Sequence, residues 1–332
     1  MSDNNISMKM KSSCFKSRTA WLIIAAMLGS CSGNKNTKAD LPVVEFQQEP
    51  GKLFILVDKK PFATYVYEDS VTTRPYFENV MTHCGVRATR NHPVLAGDPK
   101  DHSSWHPGIW LSYGDLNGVD YWRLKGKVEH ELFTEQPKGG AGKGTFTVRN
   151  YYMSADGKDR MVAELVRYSI IAEPSGYLLT SASTYSSEKG DFTFGDQEEM
   201  GMGIRVNTRI TVQYGDGHIT NAEGQKDEDG TWGKASKWID YSGEIDDHYV
   251  GMAIMQDPAN FRPGWFHSRN YGYIAANPFG REAMKQGEKS AVTVKKGDEF
   301  SIGFGVLVYC TPKGQQVDIN DAYQDYLDVL KK

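Results

Sequence analysis

Apolar and polar positions alternate with a period close to two along most of this chain. Lys52–Val57, Pro61–Tyr67, Gly144–Tyr152, Arg160–Ile171, Tyr177–Tyr185, Gly203–Tyr214, Ala291–Lys296 and Phe300–Tyr309 are rich in Val, Ile, Thr, Tyr and Phe. Nearly all are bounded by Gly, Asp, Asn or Lys, which reads as strands separated by turns. Ala155-Asp156-Gly157-Lys158 and Tyr214-Gly215-Asp216-Gly217 have the composition of hairpin turns. Only Asn320–Lys332 has a helical pattern, with apolar residues at Ala322, Tyr326, Val329 and Leu330. The pattern predicts an all-β fold, a large antiparallel β-sandwich with a short C-terminal helix. No linker or repeat interrupts residues 41–332, so one domain is expected there. The glycine run at 139–144 lacks phosphate-loop spacing and precedes no helix; it reads as a hairpin turn.

Composition narrows the function class. With 39% hydrophobic and 24% charged residues the chain can bury a core. A net charge of −4 argues against a nucleic-acid partner, whose phosphates require a clustered basic surface. Mean hydropathy is −0.53 and there is a single apolar run, which excludes a polytopic membrane protein. That run, Ala20–Leu28, follows Lys9, Lys11, Lys16 and Arg18 and ends in Leu28-Gly29-Ser30-Cys31. Basic flank, short apolar core and small residues make a secretory signal, and the ending resembles a lipobox in which Cys31 is lipidated. The expected organisation is a signal peptide over 1–31, a polar tether over 32–40 and the β domain beyond. The only membrane contact expected is the lipid anchor, at the periplasmic or outer-membrane side of the cell envelope. Cys84 and Cys310 remain in the mature chain, and their separation leaves pairing open. The absence of a Cys-x-x-Cys pair argues against a thiolate zinc site.

Three segments outside the strands hold the candidate chemistry. Met81–His130 contains five of the eight histidines, among them His102 and His106, together with Trp110, Asp120 and Trp122. Imidazole is the commonest metal ligand and titrates nearest neutrality. Phe194–Arg205 places Asp196, Glu198, Glu199 and Arg205 just before a strand, and paired carboxylates supply acid and base where their environments differ. Asp257–Gly272 and the following Asn277-Pro278-Phe279-Gly280 interleave Arg262, Trp265, His267, Arg269 and Asn277. Aromatic faces stack on a pyranose while planar amide and guanidinium groups bond its hydroxyls.

Four motifs in fixed order carry a resemblance. These are His106-Pro107-Gly108-Ile109-Trp110-Leu111 with Gly114–Trp122; Asp196–Val206; Trp238-Ile239-Asp240-Tyr241-Ser242-Gly243; and Trp265–Gly272 through Asn277–Gly280. Over roughly residues 50 to 310 the chain resembles a bacterial family labelled PmoA-like, or "methane oxygenase PmoA", treated elsewhere as a domain of unknown function. Many relatives have two histidines before the Gly-Ile-Trp; here Trp105-His106-Pro107 stands there, so only His106 carries that feature over. The methane label conflicts with physics, because the methane monooxygenase subunit is an integral membrane protein and no spanning run follows the signal. The resemblance implies a galactose-mutarotase-like supersandwich.

Two functions are consistent with these residues. As an enzyme, the chain cleaves glycosides by hydrolysis or elimination. His102, His106 and His267 act as acid or base, with Glu198 or Glu199 as partner. Trp110, Trp122 and Trp265 serve as stacking platforms, and Asp120, Arg205, Arg262, Arg269 and Asn277 hold substrate oxygens. His102 and His106 are candidate ligands for one divalent ion, zinc or similar, although no cofactor is identified. As a glycan-binding lipoprotein, the same aromatic and Arg residues hold a saccharide without turnover. A binder has no reason to converge His with carboxylate, and the density of His favours the enzyme.

Overall fold

The protein is described by a computed structural model over residues 41–331, residue 174 apart. The segments expected to be a signal peptide with lipobox Cys31 and a tether lie outside the described residues. In chain order the first strands are β1 (Val43–Glu49), β2 (Lys52–Val57), β3 (Lys60–Val66), β4 (Tyr76–Glu78) and β5 (Ile109–Tyr113). Next come β6 (Val128–Lys138), β7 (Gly140–Ala141), β8 (Lys143–Met153), β9 (Arg160–Glu173), β10 (Gly176–Ser186), β11 (Phe192–Phe194) and β12 (Met200–Arg205). The last are β13 (His218–Asn221), β14 (Trp238–Ile245), β15 (His248–Gln256), β16 (Trp265–Arg269), β17 (Tyr273–Asn277), β18 (Val292–Val294) and β19 (Phe300–Pro312). Helix α1 is Asp227–Thr231 and helix α2 is Ile319–Leu330.

Nine strands form one sheet in the order β16-β17-β12-β5-β4-β3-β2-β1-β7, and eight form a second in the order β13-β14-β15-β19-β10-β9-β8-β6. Paired strands run antiparallel in both, for example β9 with β10 from Glu173↔Gly176 to Ala163↔Ser186. The sheets pack face to face. Tyr65 and Phe77 of the first meet Phe146 and Tyr168 of the second with ring centroids 5.1–5.3 Å apart. Such edge and tilted contacts add to the area these rings bury. The expected all-β antiparallel sandwich is what the chain forms. Its C-terminal helix starts at Asp318, whose side chain accepts from the Asn320 N–H. It buries Ile319, Ala322, Tyr323 and Tyr326 against Trp238, Tyr249, Leu307 and Tyr309 on the outer face of the eight-stranded sheet. A disulfide joins Cys84, in the turn after β4, to Cys310 on β19.

Two expected elements differ. The strand expected over Gly203–Tyr214 ends at Arg205, because the Asn207 side chain accepts from the Arg209 N–H and starts a 3-10 turn at Thr208–Ile210. Tyr214–Gly217 then leads from that turn to β13 and is no hairpin between paired strands. Ala155–Lys158 does turn β8 into β9, with Gly157 at φ +71°.

The strands β12, β14, β15 and β17 are buried along almost their whole length. Covered on both faces, they lose the polar half of the alternation. On β12 and β17, Met202, Ile204, Ile274 and Ala276 enter the main core, while Tyr273 and Ala275 join Trp110 and Trp122 in a separate apolar cluster on the opposite face of the nine-stranded sheet. Gly203 lies beneath that cluster: a Cβ there would stand 2.8 Å from atoms of both Trp110 and Trp122. Gly203→Ala is therefore expected to cost about 1–3 kcal/mol through overpacking, read as a fall in melting temperature of about 2–10 °C. A variant that melts with the wild type would show that the two indoles have room to move.

Candidate functional site

Register places one row of side chains across four neighbouring strands. His267 lies opposite Ala275, Ala275 opposite Gly203, and Gly203 opposite Trp110. The two small residues in the middle leave the space that His106 fills from the loop between β4 and β5. Its ring stacks on Trp110 at 4.9 Å, on Tyr273 at 4.6 Å and under His102 at 4.6 Å. His106 is 1% exposed, Trp110 1% and Trp122 0%. The two indoles are thus a sealed floor, and the platform role expected of them does not fit this burial. Both His106 nitrogens and the Tyr273 hydroxyl have no hydrogen-bond partner among the described residues.

Above that floor the side chains become accessible. His102, held at φ +50°, faces Tyr271 and Trp105 with ring centroids at 5.5 and 5.3 Å. Its Nδ1 lies 3.0 Å from Asp101 Oδ2. An ionised carboxylate only accepts, so in the neutral ring Nδ1 is the protonated nitrogen and Nε2 the one with the lone pair. Burial alone would raise the Asp101 pKa, but hydrogen bonds from His102 and Arg205 hold it below the usual carboxylate range. Arg205 Nη1 is 2.7 Å from Asp101 Oδ2.

Glu199 is 7% exposed, and Arg123 Nη2 lies 2.5 Å from its Oε2. Burial raises its pKa above the ordinary value, outweighing the opposing pull of Arg123 and His102. Glu198 takes a different environment one residue away. Its Oε1 accepts from Arg269 Nη2 at 2.6 Å and from Trp232 Nε1 at 3.3 Å, and faces His267 Nε2 at 3.2 Å. Because the Glu198 carbonyl 3.2 Å from His267 Nδ1 can only accept, Nδ1–H is the donor. His267 Nε2 itself has no hydrogen-bond partner among the described residues. Beside it opens a depression of about 500 Å³ lined by Glu198, Glu228, Asp229, Trp232, Arg269 and Lys285.

Other expected residues serve structure. Asn277 donates to the Gln197 and Glu198 carbonyls at 2.7 and 2.9 Å, pinning the carboxylate loop rather than facing a ligand. Asp120 orients Arg123 through its backbone N–H and guanidinium at 2.9 and 3.1 Å. Arg262 donates to Pro278 O and Ser290 Oγ and lies over Trp265, so these two form a knot of their own, apart from the histidines. His102 and His106 stack at an interplanar angle of 14°, which sends their in-plane lone pairs along parallel planes and not onto one ion. Among the described residues, the only close grouping of three metal-capable side chains is Cys84, His248 and Cys310, not this face. The expected divalent ion on His102 and His106 therefore lacks a suitable donor set. Arg123, Asp101, Trp105 and Tyr271 sit inside segments whose composition had drawn attention, but only the fold distinguishes them from their neighbours. Trp232, in a short Gly-flanked stretch, carried no signal beyond being an isolated aromatic.

A family model described as a family of unknown function, DUF6807, matches residues 52–323. The chain belongs to this family. The PmoA label suggested by the sequence motifs finds no support in the comparisons. No curated protein matches this DUF6807 chain. Solved structures similar to it include the GH36 α-galactosidase AgaB from Geobacillus stearothermophilus, at 12% identity and a TM-score of 0.43. That match covers 82% of this chain but 41% of the α-galactosidase, so the DUF6807 chain spans less than half its length. A galactose mutarotase related enzyme from Lactobacillus acidophilus matches at 10% identity and a TM-score of 0.33, over 82% of this chain and all of that one.

Burial first, then the neighbouring Arg269 cation, pushes His267 down to about 3 from an ordinary 6.5. The unfolded chain thus binds a proton that the fold refuses as pH falls from about 6.5 towards 3. The His267 contribution is complete above that window and is lost through it, by about 1.4 kcal/mol per pH unit. Unfolding free energies from urea titrations should fall from pH 7 to pH 5, and His267→Gln should flatten that slope by about 1.4 kcal/mol per pH unit below pH 6.5. An unchanged slope would mean that His267 is hydrated.

Proposed function

We propose that this chain is a cell-envelope lipoprotein that cleaves glycosides by acid–base chemistry on the outer face of the nine-stranded sheet. One observation carries the reading: His102–Asp101 at 3.0 Å and His267–Glu198 at 3.2 Å converge with Glu199 from segments far apart in sequence. A protein that only holds a glycan gains nothing from two His–carboxylate pairs.

The roles follow from the environments. Glu199, its pKa raised by burial, keeps its proton nearer neutrality than an ordinary carboxyl and serves as the general acid. His102, half-buried and with Nδ1–H directed at Asp101, offers Nε2 as the base. It removes a proton from water in hydrolysis, or from a sugar carbon in elimination. Arg123 and Arg269, each about 30% exposed, hold substrate oxygens. Trp105, Tyr271 and Trp232 are partly exposed and replace the buried indoles as surfaces for the sugar ring. A lipid on Cys31 would tether the protein to the envelope, where the saccharide is met.

On whichever oligosaccharide of a broad panel is turned over, Glu199→Gln and His102→Ala should each lower kcat by about 10²–10⁴ with KM little changed. Full turnover in both variants removes the acid–base assignment, and a panel that is bound without products makes the protein a glycan binder. Separately, Cys31→Ser should move the protein from the membrane fraction to the soluble one. Equal fractionation of the two forms defeats the anchor.

A further inference from the structure

Cys84 and Cys310 meet in the company of two histidines. Cys310 and His248 belong to the antiparallel pair β15–β19, where Val250 stands opposite Cys310 and His248 opposite Pro312. Val250 and His248 are two positions apart, so His248 shares the face of Cys310 as its diagonal neighbour. Cys84 arrives from the turn after β4, which is tied by the Gly85 N–H to the Thr82 carbonyl at 2.9 Å. One ligand atom from each of Cys84, His248 and Cys310 lies within 4.8 Å of the others. His83 stands beside this group, with Nε2 3.6 Å from Cys84 Sγ. Two sulfurs and two imidazoles gathered in this way are the donors that tetrahedral zinc prefers. A disulfide alone needs no histidine. The missing Cys-x-x-Cys spacing is no obstacle, because one sulfur comes from the turn after β4 and the other from β19, 226 positions apart in sequence.

We infer that Cys84, Cys310, His248 and His83 form a zinc site once the disulfide is reduced, so that a covalent bond and a metal ion are alternative ways to close this end of the sandwich. The chemistry balances. A dithiol gives two electrons and its two protons to the S–S bond and becomes a disulfide; a phosphine gives the two electrons and takes the oxygen of one water, whose two protons go to the sulfurs, and becomes a phosphine oxide. Zinc binding then releases those two protons and leaves two thiolates and two neutral imidazoles on the ion. Where thiol reductants prevail the ion holds the sheets together, and under oxidising conditions the disulfide does so.

The test uses the full chain reduced with a phosphine, titrated anaerobically with Co²⁺ and then with Zn²⁺, with far-UV circular dichroism confirming the fold at each step. The reduced wild type should bind one Co²⁺ with the visible bands of a tetrahedral site and near-ultraviolet thiolate-to-metal absorption, and Zn²⁺ should bleach both. The oxidised protein should show neither. His248→Ala and His83→Ala keep every thiol of the chain, including Cys14 and Cys31, so a signal from the cysteines alone survives in them. Each should weaken Zn²⁺ binding on the order of 100-fold. His83 is exposed on its turn, so that variant stays informative if His248→Ala fails to fold. Absence of thiolate–cobalt bands in the reduced wild type, through unfolding or otherwise, overturns the site, as do bands that both histidine variants leave unchanged.

Discussion

The arrangement of the candidate site depends on the hydrogen bonding of buried arginines. Arg90 is 2% exposed and its guanidinium donates to the carbonyls of Pro99, Asp101, His102 and His106, at 2.7 to 3.3 Å. Arg74, equally enclosed, donates to the carbonyls of Trp105 and Trp122, and Arg205 clamps the Asp101 side chain. A loop without strand partners leaves main-chain carbonyls that must be satisfied if it is to lie against a sheet. The guanidinium forks of Arg90 and Arg74 supply that need, and with Arg205 on the Asp101 side chain they turn an irregular segment into a rigid one. Removing such a cation strands several acceptors at once, a larger penalty than any single hydrogen bond.

That rigidity lets two kinds of histidine coexist a few ångströms apart. His106 is pressed between aromatic rings and stays uncharged, its pKa pushed well down by burial first and by the neighbouring His102 and arginines next. His102 stacks on it but reaches solvent and leans on Asp101. The lower ring is a spacer that sets the height and tilt of the upper one. Glu198 and Glu199 show the same division. Adjacent in sequence, they turn into opposite surroundings, one paired with Arg269 and His267, the other enclosed beside Arg123. Environments that differ across one peptide bond allow two carboxylates to take different protonation roles.

The two faces of the nine-stranded sheet do different work. Its inner face supplies Phe62, Tyr65, Phe77 and Ile204 to the main core, while its outer face carries a small apolar floor beneath charged groups. The strands near the β16 edge therefore have partners on both sides. This burial hid them from a reading based on alternation, as it did β14 and β15, which lie between the core and α2. Strands with a clear polar side, such as β2 and β9, were legible, as was α2, whose apolar face recurs at helical spacing.

Local sequence determined the fold class, the main strands, the C-terminal helix and the three segments in which the candidate chemistry is found, because periodicity and composition are short-range properties. His102, Glu199, His267 and Arg269 were recognisable by residue type alone. What each one does was decided by tertiary structure. Burial sealed Trp110 and Trp122, stacking ruled out a shared ion on His102 and His106, and pairing turned Asn277 and Asp120 into supports. The fold also brought Arg123, Asp101 and Trp232 into the site and set two histidines beside Cys84 and Cys310. Exposure, pKa and convergence arise from neighbours distant in the chain, and those neighbours exist only once the sheets have closed.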